Sequence, residues 1–186
     1  MYTLNPCTTM RIIAGNLRGR KLLRPQNMKT RPTTDRVREA LYALVEARIS
    51  LQDAQLLDLF SGTGALTFEG ISRGIQNAIL VESDRNTLHA SQRNAEHLNL
   101  LEKCHFLCAD AVTYIQRYHG PPLDLILADP PYELESMSDL PDYAIPRLRP
   151  GGLFVLEHDI RIQFSEHPSL NTSRGYGRTH ITIFQA

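Results

Sequence analysis

From Gln55 onward the chain repeats one unit: a short apolar run, a turn, then a stretch with helical spacing. Residues 56–60, 78–82, 105–109, 123–129 and 153–157 are the apolar runs, and residues 173–178 and 180–184 close the chain around Gly175-Tyr176-Gly177. Helical segments are expected over residues 65–73, onward from the second run to Leu98, over 112–118 and over 141–148, the last ending before Pro150-Gly151-Gly152. Strands that alternate with helices must cross over the sheet, so the expected fold is α/β: a mostly parallel, Rossmann-like sheet of seven strands with helices on both faces.

The first fifty residues do not share this alternation. Residues 1–9 are polar and aperiodic and are expected to be a loose tail, with Met10 as an alternative start. Residues 11–23 place Ile12-Ile13-Ala14 and Leu22-Leu23 around Gly15-Asn16-Leu17-Arg18-Gly19, the pattern of a β-hairpin with basic residues near its tip. A loop over residues 30–35 ends in Thr34 or Asp35, both good helix caps. Val37, Ala40, Leu41, Leu44 and Val45 then recur at helical spacing to about Ile49. The expected organisation is a tail over 1–9, a basic hairpin and helix over 10–50, and a catalytic domain over 51–186.

Charge separates these parts. The chain carries 20 Lys and Arg against 20 Asp and Glu, but residues 10–48 hold ten cations and only three acids, an excess of +7. The remainder is therefore −7. A basic segment on an acidic body suits a polyanion such as RNA, and Arg18, Arg20, Lys21 and Arg36 are its candidate contacts. The alternative is a solvated basic face. Three cysteines, Cys7, Cys104 and Cys108, form no C-x-x-C pair, and Cys104, His105 and Cys108 match no usual zinc spacing, so no metal is expected. No apolar stretch approaches the ~20 residues that span a bilayer, and no secretory pattern opens the chain, so a cytoplasmic protein is expected.

The distinctive polar residues fall where strands end, the edge at which open α/β sheets bind ligands. Asp58 lies within the first run, and Ser61-Gly62-Thr63-Gly64 follows it. Glu82 closes the second run and Asp110 follows the third. Asp129-Pro130-Pro131-Tyr132 closes the fourth. Gly62 and Gly64 permit close approach of a ligand, but Thr67 stands where a dinucleotide fingerprint needs its third glycine, and no phosphate-loop G-K-[ST] is present. Glu82, 20 residues after Gly62, is placed to accept from ribose hydroxyls, and Asp110 from an adenine amine; a strand-end surface acid and a helix cap are the respective alternatives. A ribose and an adenine without a pyrophosphate clamp point to S-adenosylmethionine. In the tetrapeptide, the two prolines hold extended backbone between a carboxylate and an aromatic ring, setting acceptors beside a stacking face. A strand-ending turn is the alternative there.

Asp58-Leu59-Phe60-Ser61-Gly62-Thr63-Gly64 and Asp129-Pro130-Pro131-Tyr132 resemble the cofactor and catalytic motifs of the amino-methyltransferases. Met10-Arg11-Ile12-Ile13-Ala14-Gly15, Arg18-Gly19-Arg20-Lys21-Leu22 and Arg31-Pro32-Thr33-Thr34-Asp35-Arg36-Val37-Arg38-Glu39 narrow the resemblance, together with Tyr176-Gly177. They resemble the bacterial small-subunit (16S) ribosomal RNA guanine-N2 methyltransferases of the RsmD type. That resemblance implies a class I methyltransferase using S-adenosylmethionine, with ribosomal RNA or the assembling small subunit as partner and a monomer as the acting unit. It implies that Asp129 and the Pro130 carbonyl grip a guanine amine on which Tyr132 stacks. Thr33, Thr34 and Arg36 would hold the cofactor's carboxylate or simply cap a helix. Two other functions remain open: methylation of adenine N6 in DNA, and a non-catalytic RNA-binding module on the same fold.

Overall fold

The computed structural model describes residues 10–23 and 34–186. The expected tail over 1–9, Cys7, and the loop residues through Thr33 lie outside the described residues.

Seven strands form one sheet in the order β3-β2-β1-β4-β5-β7-β6. They are β1 (Gln55–Asp58), β2 (Asn77–Glu82), β3 (Cys104–Cys108), β4 (Leu123–Ala128), β5 (Leu148–Asp159), β6 (Leu170–Tyr176) and β7 (Thr179–Gln185). The first five pair in parallel, but β7 runs antiparallel to both β5 and β6. The sheet is therefore mixed. Only Gly177 and Arg178 separate β6 from β7, too few residues for the crossover that parallel pairing demands.

Side chains alternate along the strands between two apolar layers, as a period of two requires. Leu56, Leu80, Leu125, Leu127, Val155 and Ile183 face one cluster, shared with α1 (Asp35–Glu46), α2 (Ala65–Arg73) and α3 (Arg85–Leu98). Leu57, Val81, Ile126, Phe154, Leu156 and Phe184 face the other, shared with α4 (Ala111–Gln116) and α5 (Leu140–Ala144). Each such fully buried side chain contributes about 1.5–3 kcal/mol. The strand β4 is buried along its whole length, which makes it the spine of the sheet.

Helix starts follow local chemistry. The Thr34 hydroxyl accepts from Val37 N, Asp84 from Thr87 N at 2.8 Å, and Asp110 from Thr113 N at 2.8 Å. By contrast α2 begins at Gly64 with no side-chain cap, which leaves its first N–H groups open.

Two expectations are corrected. The helix expected over 141–148 is the short α5 followed by a 3-10 turn (Ile145–Arg147), and Leu148 already belongs to β5. Pro150-Gly151-Gly152, read as a break, lies inside β5, where the register moves from Leu123–Leu148 to Leu125–Leu153 and Gly151 takes φ +79°. A bulge absorbs the extra residues and the strand continues.

The expected N-terminal hairpin carries one antiparallel bridge, Arg11 with Lys21. Across it Ile12 N donates to Arg20 O at 2.9 Å, Gly19 N to Ile12 O at 2.9 Å and Leu22 N to Met10 O at 2.8 Å, while several other donors of the segment reach α2. Ile13 N and Ala14 N bond the Glu69 carboxylate at 2.7 and 3.0 Å, Asn16 N the Ser72 carbonyl at 2.8 Å, and Leu17 N the Ser72 hydroxyl at 2.9 Å. Met10, Ile12 and Leu22 share the cluster of α1 and α2.

Candidate active site

Asp58 ends β1, Glu82 ends β2, and Asp129 follows β4 directly; the strand order turns back between β1 and β4. That reversal opens a crevice beyond the carboxyl ends of the two strands. The sequence-expected residues Asp58, Ser61, Gly62, Thr63, Gly64, Glu82, Asp129 and Pro130 lie at or just after the carboxyl ends of β1, β2 and β4.

The glycine turn is tied down at several points. Ser61 N donates to Val81 O at 3.0 Å, Gly64 N to Ser61 O at 2.8 Å, and Gly62 N to the Glu82 carboxylate at 3.1 Å. The other Glu82 oxygen accepts Asp84 N at 2.9 Å. Glu82 thus sets the turn's geometry while keeping lone pairs for a ligand. The two glycines do different work. A Cβ at Gly64 would come within 2.3 Å of Phe68, whereas one at Gly62 would meet nothing within 4 Å; both have positive φ. Gly64 packs inward and Gly62 leaves open space outward. Thr63 is buried, and its carbonyl accepts from Asn94 at 3.0 Å.

Asp58 lies beneath this turn with no exposed surface. Thr67 donates to its Oδ2 at 2.7 Å, and Oδ1 has no hydrogen-bond partner. Burial pushes its carboxyl up to about 7; the charges of Asp129 and Glu82 add to this, against the bonds from Thr67 and Phe60. Such a shift marks a site where ionisation responds to a nearby charge.

In the tetrapeptide, Asp129 is half-buried, Pro130 is buried, and Pro131 and Tyr132 are exposed. The Pro131 carbonyl accepts Leu134 N at 3.0 Å, and the Tyr132 hydroxyl meets Thr179 Oγ1 at 3.0 Å. Asp110 caps α4, and its bonds from Thr113 hold its carboxyl below the usual carboxylate range. It also lines a cleft of about 590 Å³ together with Val112, Pro131 and Glu133. A second cavity, about 470 Å³, lies at the opposite edge, where β1 to β4 begin, and contains none of the expected site residues.

Arg18, Arg20, Lys21 and Arg36 are all exposed. Arg20 also donates to His97 O at 2.8 Å, near the carboxyl end of α3. Of the residues considered for a carboxylate at the start of α1, Thr34 caps the helix and Thr33 lies outside the described residues. Cys104 is half-buried, and burial pushes its thiol up to about 12. Among the described residues, no group of His, Cys, Asp and Glu is arranged to hold a metal ion, and no helix is long and apolar enough to cross a membrane.

Three buried polar residues went unread in the sequence. Asn94, on α3, accepts Leu23 N at 2.6 Å and donates to both Leu23 O and Thr63 O, so it ties the N-terminal segment to the glycine turn. Both fully buried, Glu69 on α2 holds Ile13 N and Ala14 N, and Arg38 on α1 donates to Arg11 O at 2.6 Å. The available signal was a polar residue on an apolar helical stripe, such as Asn94 among Leu88, Ser91, Ala95 and Leu98.

The family described as conserved hypothetical protein 95 matches residues 10–185. Ribosomal RNA small subunit methyltransferase D of Escherichia coli strain K12 is 39% identical over 125 residues, which cover 66% of this chain and 60% of that protein. The protein of the same name from Haemophilus influenzae is 32% identical over 134 residues, 71% of this chain and 68% of that one. A solved structure of the Thermus thermophilus 16S rRNA N2 G1207 methyltransferase, in complex with AdoMet and guanosine, is similar with a TM-score of 0.73 at 20% identity. It covers 96% of this chain and 49% of that chain, a likeness of fold alone.

Proposed function

Since the chain belongs to the ribosomal RNA small subunit methyltransferase D family, we propose that it transfers a methyl group from S-adenosylmethionine to the exocyclic N2 of a guanine in 16S ribosomal RNA. The observation that carries this reading is the position of Asp129-Pro130-Pro131-Tyr132: it stands beside β1 and its glycine turn, at the strand reversal, with Pro131 on the same cleft as Asp110.

The residues suit the cofactor. The open side of Gly62 and the uncapped start of α2 accept a close polar group. Glu82 faces its ribose hydroxyls and Asp110 its adenine, while the unpartnered Oδ1 of buried Asp58 acts through its charge. When bound, S-adenosylmethionine supplies an electrophilic methyl group on a sulfonium sulfur.

The amine of guanine is a poor nucleophile because its lone pair is delocalised into the ring. The Asp129 carboxylate and the Pro130 carbonyl each accept one N–H, which turns the lone pair out of conjugation. As the N–C bond forms, the C–S electron pair would return to sulfur and leave a neutral thioether, and the now acidic N–H held at Asp129 passes its proton to that carboxylate and on to water. Positioning of this kind supplies up to ~7–11 kcal/mol, and acceptors placed where charge develops add to it. Tyr132, 41% exposed, gives the base a stacking face worth ~1–3 kcal/mol.

In this reading residues 10–50 are the RNA-binding extension, with Arg18, Arg20, Lys21 and Arg36 on phosphates, and residues 51–186 are the transferase. The chain acts in the cytoplasm as a monomer on ribosomal RNA or the assembling small subunit. Mass mapping of modified nucleosides in 16S ribosomal RNA tests it: cells lacking the protein should lose one N2-methylguanosine, and an unchanged set of modifications would reject the reading.

A further inference from the structure

The surroundings of Tyr132 are electrically lopsided. On one side the cleft with Pro131 is lined by Asp110, Glu133 and Glu135, which favour a cationic cofactor and repel phosphate. On the other side the Tyr132 hydroxyl touches Thr179 at 3.0 Å, and Arg178 precedes it, with its side chain 89% exposed. The Arg178 carbonyl accepts Ile160 N at 3.2 Å, which brings the end of β5 alongside. Ile160 is 53% exposed, one of few large apolar side chains so placed, and Arg161 beside it is 72% exposed.

One buried carboxylate organises both arginines. Asp159, its side chain 2% exposed, accepts Arg161 N at 3.0 Å and Arg161 Nε at 2.6 Å, and its other oxygen lies 4.0 Å from Arg178. The Nε bond fixes the Arg161 guanidinium, yet its terminal nitrogens make no bond among the described residues. A planar guanidinium held at one edge with its fork free is suited to phosphate oxygens.

Resting on the methyltransferase reading above, we propose that Ile160, Arg161 and Arg178 form a second RNA-contact surface, which takes the phosphates next to the target guanine. The acidic cleft disfavours an RNA backbone on that side of Tyr132, and this corner offers it cations instead. Exposed Ile160 supplies an apolar face for a neighbouring base.

The variants Arg161→Gln, Arg178→Gln and the double variant test it, with a 16S ribosomal RNA transcript as probe. Binding is measured over a salt series, and S-adenosylhomocysteine affinity is measured in parallel to report folding of the cofactor site. The double variant should bind the transcript about tenfold more weakly, with a log–log salt slope lower by about 1.4, roughly 0.7 for each lost single-strand contact. S-adenosylhomocysteine affinity should stay unchanged and KM for RNA should rise while kcat at saturation is kept. If wild-type protein methylates and binds the transcript but the double variant matches it in affinity and slope, this surface is rejected and the methyltransferase reading stands. Loss of binding to assembled subunits but not to the transcript would reject RNA as the partner. Failure of the wild type to methylate ribosomal RNA would reject both.

Discussion

Thr67 donates its hydroxyl hydrogen to Asp58 Oδ2 at 2.7 Å, with both side chains fully buried. Among the described residues no other side chain donates to Asp58, whose Oδ1 has no hydrogen-bond partner. Replacing Thr67 with Val keeps the shape and removes the donor, so it should cost about 1–3 kcal/mol. The cost should be larger at pH 8 than at pH 5, because ionised Asp58 needs the donor more than its protonated form does. Urea denaturation at the two pH values checks this; equal costs would contradict it.

Asp58 also sets a pH dependence. Its folded carboxyl, at about 7, titrates above the ordinary aspartate value, so its contribution to stability is full below about pH 4 and is lost as pH rises through about 7. A bound cation reverses the preference by favouring ionised Asp58. Affinity for S-adenosylmethionine should therefore rise between pH 6 and pH 8, and Asp58→Asn should flatten the profile. Calorimetry of both proteins across that range is the check, and a wild-type profile already flat would contradict the assignment.

Glu69 holds the basic segment to the body. It accepts Ile13 N, Ala14 N and, at 2.8 Å, Arg73 Nε, and lies 3.7 Å from Arg38 Nε. Arg38 is fully buried, and that burial holds its guanidinium pKa below the ordinary value despite Asp35 and Glu69. Glu69→Ala leaves this buried cation short of a partner and should cost about 3–5 kcal/mol. Urea titration measures it, and a loss under about 1 kcal/mol would show the contact to be dispensable.

The layered sheet was legible in the sequence because Leu56 and Leu57, or Phe154 and Val155, carry a period of two that only opposed apolar faces explain. The corner of polar strand ends was legible for the same reason: once the strands are placed, Glu82 and Asp129 must share an edge. What periodicity could not carry was anything held by a side chain reaching between distant segments. The runs around Ile12 and Leu22 are too short to show which surface they cover, so docking on Glu69 and Ser72 was invisible. Gly151 signals a break until β4 is present to pair across it. Thr67 was read only as a departure from another fingerprint, since its partner Asp58 lies on a different element.

The central chemical claim is that Asp129 grips the guanine amine. Single-turnover transfer of labelled methyl from S-adenosylmethionine to 16S ribosomal RNA, with the product nucleoside identified by mass, measures this in wild type and Asp129→Ala. The expected result is N2-methylguanosine from the wild type and a rate at least about a thousandfold lower in the variant, about 4 kcal/mol in the barrier, with S-adenosylhomocysteine affinity within a few fold. Near-normal transfer by Asp129→Ala, or label on any atom other than guanine N2, would contradict it.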